Sequence, residues 1–141
     1  MQPKSTPGEA AFLVWSDAFA VGHKGLDLEH YRLFAIIREI HESERAGRDR
    51  SQLQALLDAV KFVAIEHFRH ENSVLRLEMP DVIDTAAINE HLAEHAAALA
   101  GLEAIIRGFR AGGDQLSFQL REWFVEHSVR YDAHLKSALR K

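Results

Sequence analysis

Two pairs of side chains, His67-x-x-x-Glu71 and His91-x-x-x-His95, are the residues of this chain best suited to chemistry. On a helix, positions i and i+4 project from one face about 6 Å apart, so each pair can address one metal ion or two adjacent ones. Either pair alone is a weak signal. His30 and His127 strengthen it, because each falls on the apolar stripe of a further helical segment. A single histidine on such a stripe is ordinarily a core residue bonded to a backbone carbonyl. Burying an imidazole or carboxylate without a partner costs roughly 1 to 3 kcal/mol, and more if it is charged. A sequence rarely repeats that cost on every helix, whereas convergence on a metal centre satisfies all of these groups at once. The chain has no cysteine, so the donors must be nitrogen and oxygen. Thiolate zinc sites, iron–sulfur clusters, disulfides and thiol nucleophiles are thereby excluded. A tetrahedral zinc site would use about four ligands, fewer than the candidates here.

The elements that must position these residues are four long helical patterns. The first runs over roughly Leu26 to Arg45, with His30 one turn before Phe34. The second runs from about Ser51 to Glu78, and His67 and Glu71 continue a stripe begun by Leu53, Leu57 and Val60. The third starts near Asp84 or Thr85 and carries Ile88, His91, Leu92, His95 and Leu99 before Gly112 stops it. The fourth follows Gly113, with Asp114 as its expected cap, and shows Leu116, Leu120, Trp123, Phe124, His127, Tyr131 and Leu135. No strand-like alternation, repeat or low-complexity tract interrupts them. Short gaps at Gly47, Pro80 and Gly112-Gly113 favour antiparallel neighbours. The expected fold is therefore all-α, an up-down-up-down antiparallel four-helix bundle spanning residues 17–141, with residues 1–16 as an N-terminal arm laid along it.

A length of 141 residues suits one domain with its own core. A formal charge of -4 gives no footprint for nucleic acid. Met1 to Ser16 holds no apolar run long enough for a signal peptide or a membrane span, so no membrane insertion and a cytoplasmic location are expected. A monomer is the expected state.

Trp15, Val21-Gly22, Asp27-x-x-His30-x-x-Leu33-Phe34, His67-Phe68-x-x-Glu71, His91-x-x-x-His95 and Trp123-Phe124-x-x-His127-x-x-x-x-Asp132 together resemble the hemerythrins, particularly their single-domain bacterial members. The resemblance covers nearly the whole chain from Trp15 to Asp132. It implies two iron ions joined by an oxo or hydroxo bridge, with His91, His95 and His127 on one iron, His30 and His67 on the other, and Glu71 and Asp132 bridging both. Two six-coordinate irons offer about twelve positions, of which this set and the bridging oxygen fill all but one. That open position implies reversible dioxygen binding, for storage, transport or delivery to an oxidase or oxygenase. Fewer anionic ligands than in carboxylate-rich di-iron enzymes favour binding over oxygenation. Two other readings share the site: an oxygen or redox sensor acting through a partner protein, and an enzyme acting on nitric oxide or peroxide. The absence of a fused output domain counts against the sensor. No general base stands out for the enzyme.

Phe34, Phe68 and Phe124 are expected to wall the oxygen pocket, Phe124 at a position often aliphatic in the family. Asn72 stands where many relatives have a second acid, and Met79-Pro80 departs from the usual loop. Neither departure is expected to touch a ligand. His23, His41, His70 and His134 are expected on the surface or beside the ligands, not among them. Asp27 is read as a helix cap, with accepting a hydrogen bond from a ligand imidazole as the alternative, Trp15 and Trp123 as packing residues, and the charges around Arg45, Arg48, Asp49 and Arg50 as a solvated loop.

The step from His127 to Asp132 is five residues. In a regular α-helix five residues turn roughly 500°, which leaves two side chains about 140° apart. A wide turn with i to i+5 bonding would return them to one face. The sequence therefore predicts that the fourth helix is widened, kinked or ended between these two residues.

Overall fold

The computed structural model describes residues 12–16, 19–78 and 85–131. Helix α1 spans Lys24–Arg45, α2 spans Arg50–Glu78, α3 spans Thr85–Arg110 and α4 spans Leu116–Val125. Helix α4 passes directly into a π-helical segment, Glu126–Tyr131. Among the described residues there is no strand. Each helix packs against the next in sequence, and α4 closes against α1. With connections as short as 46–49 and 111–115, sequential neighbours run antiparallel, which is the expected four-helix bundle.

Glycine ends two of the helices for a stereochemical reason. Gly47 and Gly112 take φ of 71° and 100°, where a β-carbon would be strained. The turn at Gly47 then returns two amides to the last carbonyls of α1, Gly47 to Glu44 at 3.1 Å and Arg48 to Ser43 at 3.0 Å. The turn at Gly112 does the same for α3, with Gly112 bonded to Phe109 and Gly113 to Gly108, both at 2.9 Å. These paired bonds satisfy carbonyls that a helix end otherwise orphans.

Three local expectations are corrected. Asp27 does not cap α1: His23 does, its Nδ1 accepting from the Leu26 amide at 3.3 Å. Asp27 instead pins the segment before the helix by accepting from the amides of Val21 at 2.7 Å and Gly22 at 3.2 Å. Asp114 does not cap α4 either. Gln115 holds the cap position at φ 60° without a side-chain bond, and the cap comes from α1, where Glu44 accepts from the amides of Leu116 at 2.9 Å and Ser117 at 3.0 Å. The charged loop after α1 also has work to do: Asp49 accepts from the Gln52 amide at 3.0 Å and so caps α2. Arg50 lies 4.0 Å over the Phe109 ring and bonds the carbonyls of Phe109 and Gly113, joining the start of α2 to the end of α3.

Two apolar clusters flank the polar centre. The larger, with Ile37, Ile40, Leu57, Val60, Ile106 and Leu120, lies toward the glycine turns. The smaller joins Val21, Leu26, Val74, Leu75 and Ile88. Along α1, α2 and α3 the inward histidines fall between residues of one cluster and residues of the other. Each fully buried Leu or Ile stabilises the fold by about 1.5 to 3 kcal/mol, so the centre is fixed from both sides. Phe12 and Leu13 are buried in the larger cluster, and the Phe12 ring stacks on His41 with centroids 3.8 Å apart. No helix among the described residues is long and apolar enough to cross a membrane.

Candidate metal centre

His30 comes from α1, His67 and Glu71 from α2, His91 and His95 from α3, and His127 from the π-helical segment. All six are buried, with at most 4% of any of them exposed. Ligand atoms of His30, His67, Glu71 and His127 lie within 4.8 Å of one another, as do those of Glu71, His91 and His95. Glu71 belongs to both groups, and its two oxygens divide the histidines. Oε1 lies 3.2 Å from His91 Nε2, 3.9 Å from His127 Nε2 and in short contact with His95 Nε2. Oε2 faces His67 Nε2 at 3.5 Å. His127 thus stands near His30 and His67 while reaching the oxygen shared by His91 and His95.

The outer nitrogens of three rings are already committed. Nδ1 of His30 donates to the Phe19 carbonyl at 2.5 Å, Nδ1 of His67 to Glu29 at 2.9 Å and Nδ1 of His95 to Asn72 Oδ1 at 2.6 Å. A ring that donates through Nδ1 turns the lone pair of Nε2 inward, which is the form a metal ion requires. His67 Nε2 and Glu71 Oε2 are buried without a hydrogen bond. A buried imidazole nitrogen and a carboxylate oxygen left without hydrogen bonds are groups that a bound cation would satisfy, so this donor set fits transition-metal ions with a taste for imidazole and carboxylate.

Burial by itself would raise the Glu71 carboxyl. Hydrogen bonds from His91 and His95, and attraction to His67 and His127, overturn that effect and hold it well below the usual carboxylate range. Glu29 follows the same balance: burial pushes it up, and the bonds from His67 and His70 bring it below its ordinary value.

Six of the seven residues expected from the sequence are therefore brought together. The seventh, Asp132, lies outside the described residues, as do His134 and Met79-Pro80. The π-helix at Glu126–Tyr131 supplies the widening that the five-residue step to Asp132 predicted. The Phe124 ring meets His30 edge-on with centroids 6.2 Å apart. Phe68 stacks on His95 and meets His127, both at 4.7 Å. Phe34 turns instead to Trp15 at 5.4 Å and Tyr31 at 5.6 Å. Trp123 donates from Nε1 to the Ala98 carbonyl at 2.8 Å, which locks α4 to α3. His23 caps α1, and His41 pairs with Ser117 Oγ at 3.3 Å.

Asn72 corrects one expectation, since it touches His95 directly. Glu29 is the residue that sequence reasoning missed. It bonds His70 at 2.9 Å as well as His67, reaching from α1 to α2. An acid immediately before an inward histidine was the available signal, but the helix it would face depended on packing.

The family model described as the hemerythrin HHE cation binding domain matches residues 21–139. The bacteriohemerythrins of Pseudomonas aeruginosa strains LESB58 and UCBPP-PA14 are each 23% identical to this chain over 133 residues, covering 92% of it and 83% of the relative. No solved structure matches the chain.

Proposed function

The chain belongs to the hemerythrin family, and from that membership we propose that it binds dioxygen reversibly at a non-haem di-iron centre. The observation that carries this reading is the division at Glu71, one carboxylate whose Oε1 faces His91, His95 and His127 and whose Oε2 faces His67. That division, with His30 grouped beside His67, supports His91, His95 and His127 as the residues that would hold one iron and His30 and His67 as those that would hold the other, with Glu71 reaching both; Asp132 is added as a seventh ligand from the family resemblance alone. Two ferrous ions held there would supply the pair of electrons that reversible dioxygen binding borrows.

The protein's own groups orient, insulate and restrain. Phe19, Glu29 and Asn72 fix three imidazole planes from outside. Phe68 packs against His95 and His127. Phe124 stands at His30, where it would wall a small ligand bound on the side of His30 and His67. Excluding water there slows proton delivery to the bound ligand and thus irreversible oxidation. With histidines outnumbering carboxylates, the set favours binding over oxygenation, so the protein acts as a carrier or store and not as an enzyme. In this reading it works in the cytoplasm as a monomer and hands oxygen to an oxidase or oxygenase.

An absorption spectrum of the reduced, iron-loaded protein before and after air tests the proposal. A charge-transfer band that appears with oxygen and vanishes under vacuum is expected. A band that persists, or bleaching within seconds, would mark a sensor or an enzyme. A spectrum without any band after iron loading would overturn the di-iron assignment.

A further inference from the structure

Between α3 and the junction of α4 with the π-helical segment, the surface dips into a recess of about 140 Å³ lined by Ala97, Ala98, Gly101, Trp123, Glu126 and His127. Ala97 and Gly101 are exposed, whereas Trp123 is 9% and His127 only 2% exposed. The recess therefore runs from a rim of small residues down to an imidazole of the buried cluster.

Two features keep it open. Helix α3 presents nothing larger than a methyl group at positions 97, 98 and 101. The Trp123 indole is held as a fixed wall by its bond to the Ala98 carbonyl. A glycine inside a helix costs about 1 kcal/mol relative to alanine, so local helix stability does not explain Gly101. A β-carbon there would lie 3.8 Å from Trp123 Cδ1, an ordinary contact. Alanine would thus fit, and a branched side chain would fill the recess.

We propose that this recess is the port through which small uncharged molecules of the size of dioxygen reach the histidine cluster, meeting it at His127. The proposal rests on the oxygen-binding reading and adds a route to it. The Ala97 and Ala98 methyls, Gly101 and the indole, whose N–H is already committed, make most of the lining apolar beside the polar Glu126 and His127, so an apolar gas is accommodated. At about 140 Å³ the space is also well below the 300 Å³ or so where pockets for drug-sized ligands begin.

The test uses the iron-loaded protein and two readouts. Crystals pressurised with xenon should show the gas in the recess, and Gly101→Leu and Ala97→Leu should each expel it. The same two variants should slow oxygen association and dissociation several-fold by equal factors, leaving affinity unchanged. Gly101→Ala should do neither, nor should Gly108→Leu, whose β-carbon meets nothing within 4 Å. Absence of xenon from the wild-type recess, or unchanged exchange rates in both leucine variants, would overturn the port. A wild type that binds no oxygen would fell the functional reading alone, since the xenon position and its loss in the leucine variants still decide the port.

Discussion

The side-chain oxygen of Asn72 accepts the Nδ1 proton of His95 at 2.6 Å, so the residue after Glu71 orients an imidazole on the neighbouring helix. Groups of this kind typically change metal affinity 10- to 100-fold, roughly 1.4 to 2.8 kcal/mol. Asn72→Ala should weaken iron binding by that factor, and Asn72→Asp should retain it, because the acceptor is kept and its charge makes His95 a stronger donor to the metal. Competition with a chelator measures both. Equal affinities for wild type and Asn72→Ala would show that the bond does not support the site.

Glu71 and Glu29 both ionise more readily than an ordinary carboxyl. A folded-state value below the unfolded one means that their stabilisation is complete above about pH 4.3 and is lost as pH falls through the lowered values. Imidazole ligands must be neutral, and a free imidazole protonates near pH 6.5. Acid should therefore strip the metal first and unfold the metal-free protein only at a lower pH. Iron retained after desalting, compared with helical circular dichroism across the same titration, would reveal the two steps. A single step below pH 4 would contradict this order.

The Glu44 cap on α4 joins two helices far apart in sequence. Removing a cap costs about 0.5 to 2 kcal/mol, so Glu44→Ala should lower the unfolding free energy obtained from urea titration by an amount in that range. The oxygenated spectrum should not change, because Glu44 sits near the glycine turns and away from the six residues of the candidate centre. A shifted charge-transfer band would show that the cap also sets the geometry of the centre.

The π-helical segment holds one residue more per turn than an α-helix. Deleting Ser128, which follows His127, should return the segment to α-helical register and leave the residue now four beyond His127 on the face of the centre, because four residues turn about 400°. Iron content and helical circular dichroism should both stay near the wild-type level. Loss of iron from the deletion variant would refute the role given to the wide turn.

Phe124 is fully buried beside His30. Phe124→Ala should speed autoxidation with iron content nearly unchanged, at a stability cost of about 3 to 5 kcal/mol for the cavity. Phe124→Leu should fall between the two in both respects. Equal autoxidation rates for all three proteins would remove Phe124 from the pocket wall.

The sequence by itself determined what periodicity and spacing can encode. Apolar stripes at steps of three and four specified the helices. Polar residues lying on those stripes identified His30, His67, Glu71, His91, His95 and His127 as inward, and once the family resemblance set Asp132 beside His127, the five-residue step between them called for a departure from α-helical geometry. These are properties of one helix at a time, readable from its 3.6-residue turn. Tertiary structure decided which groups meet across helices. Glu29 reaches from α1 to His67, Asn72 from α2 to His95, and Glu44 from α1 to the start of α4, each by an edge residue whose facing partner depends on how two cylinders are rotated and offset. The Asp114 cap failed for the same reason: a carboxylate brought in by packing displaced the local one. The two oxygens of Glu71 divide the histidines only once four helices have closed around it, because the distances between side chains on different helices are set by the packed core and by no spacing along the chain.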